Sequence, residues 1–149
     1  MDMDTHTHIT NRVAAFFSAV DEQGWEPLAA MMTTPIHFDY SSFGAGDPAD
    51  RSPADILDTW RGLLPGFDHT HHQLGNLHVE LVGERAHVGA YVIGHHVIGD
   101  EIWTVVGRYE IELARGGADW QLASLRFVYR YQTGATDLPG KASERASTV

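Results

Sequence analysis

The sequence predicts an α+β fold in which helices pack on a curved antiparallel sheet. Two observations favour this class. Apolar residues recur at helical spacing in the first third of the chain, and the stretch from Thr70 to Tyr131 alternates apolar and polar residues. The chain has 149 residues, which fits one domain with its own core.

The helices are predicted to come first. An amphipathic helix over 9–22 would bury Ile9, Val13, Phe16, Phe17 and Val20. A short helix over 25–32 follows, and a strand over 36–40 comes after the Thr-Thr-Pro break. Ser52 and Pro53 then have the residue types of a helix N-cap and first helical position.

The second half is predicted to form a four-strand meander. Its segments cover about 70–82, 86–98, 101–115 and 119–131. Strands of about 13 residues are long and must bend. A bent sheet that closes around helices makes a cone with one open cavity.

Outside this domain, assigned to residues 9–132, the sequence is polar. We expect a disordered N-terminus over 1–8 and a flexible C-terminal tail over 133–149.

Composition excludes several classes of function. The net charge of −10 argues against nucleic acid and anionic membranes as partners, and the lack of Cys removes disulfides and thiolate chemistry. No apolar run approaches the roughly 20 residues of a membrane span. The first ten residues lack the basic and apolar regions of a secretory signal, so we expect a cytoplasmic protein.

Histidine is unusually frequent, with 10 residues. Neighbouring residues of a strand point to opposite faces, so neither His71 with His72 nor His95 with His96 can bind one metal ion as a pair. A site of His72, His96 and one acid is geometrically possible. We nevertheless expect no metal and no cofactor.

Three further residues have two interpretations each. His96 shares its strand face with small apolar residues, which indicates either a pocket histidine or a core histidine with a satisfied hydrogen bond. Asp21 ends the first helix, as a solvated acid or as a carboxylate that orients a histidine. Tyr40 ends the first strand, as a core aromatic or as a site residue.

The chain carries a series of short motifs. In chain order they are Ala19-Val20-Asp21, Trp25, Phe38-Asp39-Tyr40-Ser41-Ser42-Phe43, Thr70-His71-His72-Gln73-Leu74-Gly75-Asn76, Ala90-Tyr91 with His96, Gly107-Arg108-Tyr109 and Trp120. Together, these motifs resemble the SnoaL-like branch of the NTF2-like superfamily, and scytalone dehydratase most of all. Lindane dehydrochlorinases resemble the chain in two of these segments.

This resemblance implies an NTF2-like cone-shaped α+β barrel, with three N-terminal helices packed in a curved antiparallel sheet. It also implies a cofactor-free enzyme that uses a buried His–Asp pair. His72 would be the general base, Asp21 would hold it, Tyr40 would polarise a substrate carbonyl, and His96 would be a second pocket histidine that stabilises the enolate or protonates a leaving group. The expected substrate pocket consists of Trp25, Phe38, Val92, Trp103 and Tyr109. The expected partners are a hydrophobic, polyketide-like small molecule and a second or third copy of the chain.

The chain also departs from the dehydratase pattern. Val20 replaces a tyrosine, and Gly107 and Tyr109 replace a serine and an asparagine. The substrate is therefore expected to differ, and elimination, isomerisation and cyclisation all remain open. Two alternatives are a non-catalytic ligand-binding protein and a protein like the small subunit of ring-hydroxylating dioxygenases.

Overall fold

The computed structural model describes residues 1–117 and 119–148. The helices are α1 (Met3–Glu22), α2 (Trp25–Ala30), α3 (Pro53–Arg61) and α4 (Leu138–Ser147). The strands are β1 (Met32–Asp39), β2 (Ala49–Arg51), β3 (His69–Val82), β4 (Arg85–Ile98), β5 (Glu101–Gly116) and β6 (Asp119–Gly134). Short 3-10 turns cover Ser41–Phe43 and Leu64–Gly66.

The six strands of the described residues belong to one curved, unclosed sheet with the order β2-β1-β6-β5-β4-β3. Strands β3 to β6 form the predicted antiparallel meander, so the α+β class is confirmed. One pairing differs from the antiparallel prediction, because β1 runs parallel to β6. This parallel pair brings the first strand, which follows α1 and α2, beside the last strand.

Helix α1 begins earlier than predicted. Residues 3–8, expected to be disordered, are helical, because the Asp2 side chain accepts a hydrogen bond from the Thr5 N–H at 2.7 Å. This N-cap satisfies a donor that a helix end otherwise leaves unpaired. The predicted apolar stripe of α1 is buried, and it packs the helix over the sheet.

Helix α3 begins where the sequence predicts. The Ser52 hydroxyl accepts a hydrogen bond from the Asp55 N–H at 3.1 Å, and Pro53 occupies the first turn. Buried Ile56 and Leu57 hold the helix against the core.

The C-terminal segment also differs from prediction. Residues 138–147 of the expected tail 133–149 form α4, whereas Val149 lies outside the described residues. Leu138 and Ala142 are fully buried. A Cβ on Gly66 would lie 1.8 Å from the Ala142 carbonyl oxygen, so only glycine allows α4 to pack this closely. Two apolar residues one helical turn apart thus anchor an otherwise polar helix.

Within the described part of the chain, none of the helices is long and apolar enough to cross a membrane.

Candidate active site

A cavity of about 500 Å³ lies between the helices and the concave face of the sheet. Most of its wall is aromatic or aliphatic. The predicted site residues that line it are Phe38, Tyr40, His72, Val92, His96, Trp103 and Tyr109. Asp21 lies behind His72, at the end of α1.

The structure brings together Asp21 and His72. The distance between Asp21 Oδ1 and His72 Nδ1 is 2.7 Å, and the two side chains are only 18% and 13% exposed. The end of α1 lies over the start of β3, and this places the carboxylate against the strand. Because a carboxylate can only accept, Nδ1 of His72 carries a proton, and in the neutral ring Nε2 therefore keeps its lone pair.

Two further donors hold the Asp21 carboxylate. The Thr70 hydroxyl donates to Oδ1 at 2.9 Å, and the His72 backbone N–H donates to Oδ2 at 2.8 Å. Burial alone would raise the pKa of Asp21, but the hydrogen bonds from His72 and Thr70 outweigh it and hold that pKa below its usual value. Asp21 is therefore ionised at neutral pH.

His96 faces the same cavity from β4 and is 8% exposed. Its Nδ1 lies 3.1 Å from the Trp103 carbonyl oxygen, so Nδ1 carries the proton. Desolvation, followed by the nearby His72 imidazole, lowers the pKa of His96 to about 4. His96 is therefore neutral at physiological pH, and its Nε2 can accept a hydrogen bond but cannot donate one.

Both Nε2 atoms face open space. Among the described residues, every fully buried side-chain nitrogen or oxygen has a hydrogen-bond partner. The structure shows hydrogen bonds of these two rings only at Nδ1, so neither Nε2 atom is fully buried and both border the cavity. Gly94 makes room between the two rings. A Cβ on Gly94 would lie 3.3 Å from His96 Cε1 and 3.6 Å from His72 Nε2.

Two tyrosines contribute hydroxyl groups to the cavity wall. The Tyr40 and Tyr109 hydroxyl oxygens are 2.9 Å apart and share one hydrogen bond. Desolvation raises the pKa of Tyr109 to about 12, and desolvation together with Tyr109 raises the pKa of Tyr40 well above its usual value. Both phenols are therefore protonated at neutral pH and can act as donors.

The chain matches the profile of the SnoaL-like domain over residues 1–126. It belongs to the SnoaL-like family. A search of curated proteins found no significant match.

Solved structures support the fold of this SnoaL-like chain. A candidate scytalone dehydratase from Novosphingobium aromaticivorans has a TM-score of 0.79 at 17% identity, over 89% of each chain. A candidate aromatic ring hydroxylase from the same species has a TM-score of 0.81 at 25% identity, over 93% of this chain and 99% of the other. A candidate dehydratase of the NTF2-like family from Streptomyces avermitilis has a TM-score of 0.75 at 13% identity, over 86% of this chain and 99% of the other. The NTF2-like fold is thus established.

One residue of the SnoaL-like domain that was predicted to line the pocket lies elsewhere. Trp25 begins α2 and does not line the cavity. Its ring packs under the guanidinium of Arg61, at 5.4 Å from the ring centroid. The residue follows the left-handed turn at Gln23 that ends α1, and its side chain is half-buried against the edge of the core.

Several residues of the site were not singled out from sequence. Among the described residues, the cavity wall also includes Phe17, Phe43, Trp60 and Phe127. Phe17 lies on the predicted buried stripe of α1, and Thr70 shares the strand face of His72, so periodicity could have found both. Phe43 and Phe127 come from a 3-10 turn and from β6, whose positions depend on the parallel β1–β6 pairing.

The remaining histidines of the strands behave as alternation predicts. His71 and His95 are exposed on the convex face, opposite His72 and His96. In residues 1–117 and 119–148, no three His, Cys, Asp or Glu side chains are grouped so that they could hold a metal ion.

The departures from the dehydratase pattern have local structural reasons. Val20 lines the cavity as an apolar residue. A Cβ on Gly107 would lie 2.6 Å from the Phe127 ring, so glycine at this position lets the ring pack against β5.

Proposed function

We propose that this protein is a cofactor-free acid-base enzyme that removes a proton from carbon next to a carbonyl in a hydrophobic small molecule. The observation that carries the proposal is the hydrogen bond between His72 and the ionised Asp21 at the wall of an apolar cavity. A histidine with an open Nε2 and a carboxylate on Nδ1 has the arrangement of a general base.

Asp21 supports the base in two ways. It fixes the tautomer that leaves Nε2 unprotonated, and its charge stabilises the imidazolium that forms when Nε2 takes a proton. Thr70 and the His72 backbone hold the carboxylate still, so little reorganisation accompanies the transfer.

The tyrosines and His96 supply complementary hydrogen bonds. As the C–H bond breaks, its electron pair moves into the carbonyl group and negative charge develops on oxygen. A Tyr40 hydroxyl can donate to that oxygen. His96 fits a different role from the predicted oxyanion partner or proton donor, because its Nε2 accepts a hydrogen bond, as from a substrate hydroxyl.

A hydroxyl group next to the enolate would give a balanced elimination. The enolate electron pair forms the new double bond, the C–O bond breaks, and the proton held by His72 leaves with the hydroxyl as water. The similarity to two candidate dehydratases supports this outcome. Return of the proton to another carbon would instead give isomerisation, and attack of the enolate on a second carbonyl would give cyclisation.

Deuterium exchange into cyclic ketones tests the proposal without a known substrate. A panel that includes α-tetralone and β-tetralone is incubated with the protein in deuterium oxide, and loss of the α-proton signal is followed by NMR. We expect exchange with the wild type and about a 100-fold or larger loss in His72→Gln, since general base catalysis contributes roughly 10²–10⁴-fold.

His71→Gln is the matched control, because His71 lies one residue away on the exposed convex face. Equal exchange by His72→Gln and His71→Gln would contradict the proposal. Tight binding of the ketones with no exchange in any variant would favour the alternative, a ligand-binding protein without catalysis. The candidate ring hydroxylase motivates one further control, a test for copurification with an iron-containing partner.

A further inference from the structure

The hydroxyl protons of the Tyr40–Tyr109 contact can be counted. Two hydroxyls that share one hydrogen bond carry two protons, of which one lies between the oxygens and one is free. The free O–H belongs to whichever phenol accepts the shared bond. The direction of the hydrogen bond between the two tyrosines therefore decides which oxygen can donate to a ligand.

Packing distinguishes the two phenols. Tyr109, on β5, is 5% exposed, and its ring centroid lies 4.7 Å from that of Phe17 and 5.3 Å from that of Phe127. Tyr40 follows β1 and is less buried, with its ring between Phe38 at 4.6 Å and Phe127 at 5.6 Å. Both residues line the cavity, and over the whole residue Tyr109 is the more enclosed of the two and Tyr40 the more exposed.

We propose that Tyr109 is a positioning residue whose hydroxyl donates to Tyr40 and directs the free Tyr40 O–H at the oxygen of a phenol-like or enol-like ligand. This inference rests on the proposed function, since the ligand oxygen is the one that becomes negative during proton removal. A donor that itself accepts a hydrogen bond is polarised and donates more strongly.

Two features of the surroundings strengthen this arrangement. The ring of Phe127 packs against both tyrosines and limits their rotation. The raised pKa of each phenol, caused first by desolvation, keeps both protons in place at neutral pH. The pair therefore presents a fixed neutral donor inside an apolar wall, where interaction with a developing negative charge is least screened.

Binding of 4-nitrophenol measures the pair directly. The probe absorbs at longer wavelength when ionised, so its spectrum reports the ratio of phenolate to phenol in the cavity. The measurement is made at a pH where the free probe is mostly neutral. We expect the wild type to raise the ionised fraction of the bound probe, because Tyr40 donates to its oxygen.

Single substitutions give graded effects. Tyr40→Phe should lower the ratio of phenolate to phenol about 10- to 100-fold, since a hydrogen bond to a charged group is removed. Tyr109→Phe should lower it about three- to tenfold, the effect of losing one neutral hydrogen bond. The control Tyr131→Phe, at an exposed tyrosine, should leave the ratio unchanged.

The double variant separates positioning from direct contact. If Tyr109 acts through Tyr40, then adding Tyr109→Phe to Tyr40→Phe should change the ratio no further. An equal loss in both backgrounds would overturn the inference, because Tyr109 would then contact the probe itself. A wild-type ratio in Tyr109→Phe, or a wild type that binds the probe only as neutral phenol, would also overturn it.

The deuterium-exchange assay keeps the two proposals apart. If His72→Gln exchanges the α-protons as fast as the wild type does, His72 is not the base and the proposed function fails, while the probe spectra of the tyrosine variants still decide the inference. If His72→Gln loses exchange and Tyr109→Phe leaves the ratio of phenolate to phenol unchanged, the proposed function stands and the inference fails.

Discussion

Replacement of Asp21 by Asn should both destabilise the protein and change the tautomer of His72. The carboxylate accepts hydrogen bonds from the Thr70 hydroxyl, the His72 backbone N–H and His72 Nδ1. An amide has only one oxygen, so at least one of these donors must face an NH₂ group. If the amide nitrogen faces the ring, His72 keeps a partner only by moving its proton to Nε2.

The magnitude follows from these three contacts. One buried donor without a partner costs about 1–3 kcal/mol, and each remaining hydrogen bond weakens by roughly 1 kcal/mol when its acceptor loses its charge. Lower desolvation of the neutral amide offsets part of this loss. We expect the free energy of unfolding to fall by about 3 kcal/mol, which corresponds to roughly 6–12 °C in Tm for a chain of this length.

Thermal and urea denaturation measure the stability, and NMR of the imidazole nitrogens reports the tautomer. Asp58→Asn is the matched control, because Asp58 is 77% exposed and lies 3.6 Å from Arg61 in a surface ion pair. That change should cost at most about 1 kcal/mol. Equal loss in the two variants, with the proton of His72 still on Nδ1, would refute the reasoning.

The same variant should alter acid denaturation. The folded pKa of Asp21 lies below its usual value, so the carboxylate contributes stability above that usual value and loses it as pH falls through the folded pKa. Asp21→Asn should lack this part of the pH dependence.

Two other residues provide independent tests. His96, with a folded pKa of about 4, should titrate by NMR with a midpoint near that pH. The free energy of unfolding should fall as pH drops from about 6.5 to about 4, because the unfolded state binds the proton first. A midpoint near 6.5 would show that the ring is not desolvated. Leu138→Ala, in the fully buried anchor of α4, should lower the free energy of unfolding by about 2–5 kcal/mol in urea denaturation, against no more than about 0.5 kcal/mol for the exposed Ser143→Ala. No difference between these two would show that α4 does not pack on the domain.

Strand alternation and helical periodicity predicted most of the fold. Alternation placed His72 and His96 on one face and His71 and His95 on the other, because successive side chains of a strand point in opposite directions. The same rule could not reveal α4, since only Leu138 and Ala142 mark its buried side. Their partner Gly66 is distant in sequence, and its role is visible only once the segments pack.

The site was predictable where short motifs carry it and not where distant segments meet. Asp21 and His72 belong to two such motifs. The contact between Tyr40 and Tyr109 joins residues 69 positions apart, and no local pattern encodes it. It depends on the parallel pairing of β1 with β6, which the alternating pattern of the meander does not indicate.

The order of translation has a consequence for the site because of that parallel pair. Asp21, Tyr40 and His72 all precede β5 in the chain. Tyr40, however, stays in place only when its strand pairs with β6, where Asp39 lies opposite Arg126. Ser42 links the turn after Tyr40 to β6, since its hydroxyl donates to the Phe127 carbonyl at 2.7 Å and accepts from the Tyr129 N–H at 2.9 Å. The ribosome therefore synthesises Asp21 and His72 long before β6, and a chain released before β6 would contain His72 and Asp21 without a placed Tyr40.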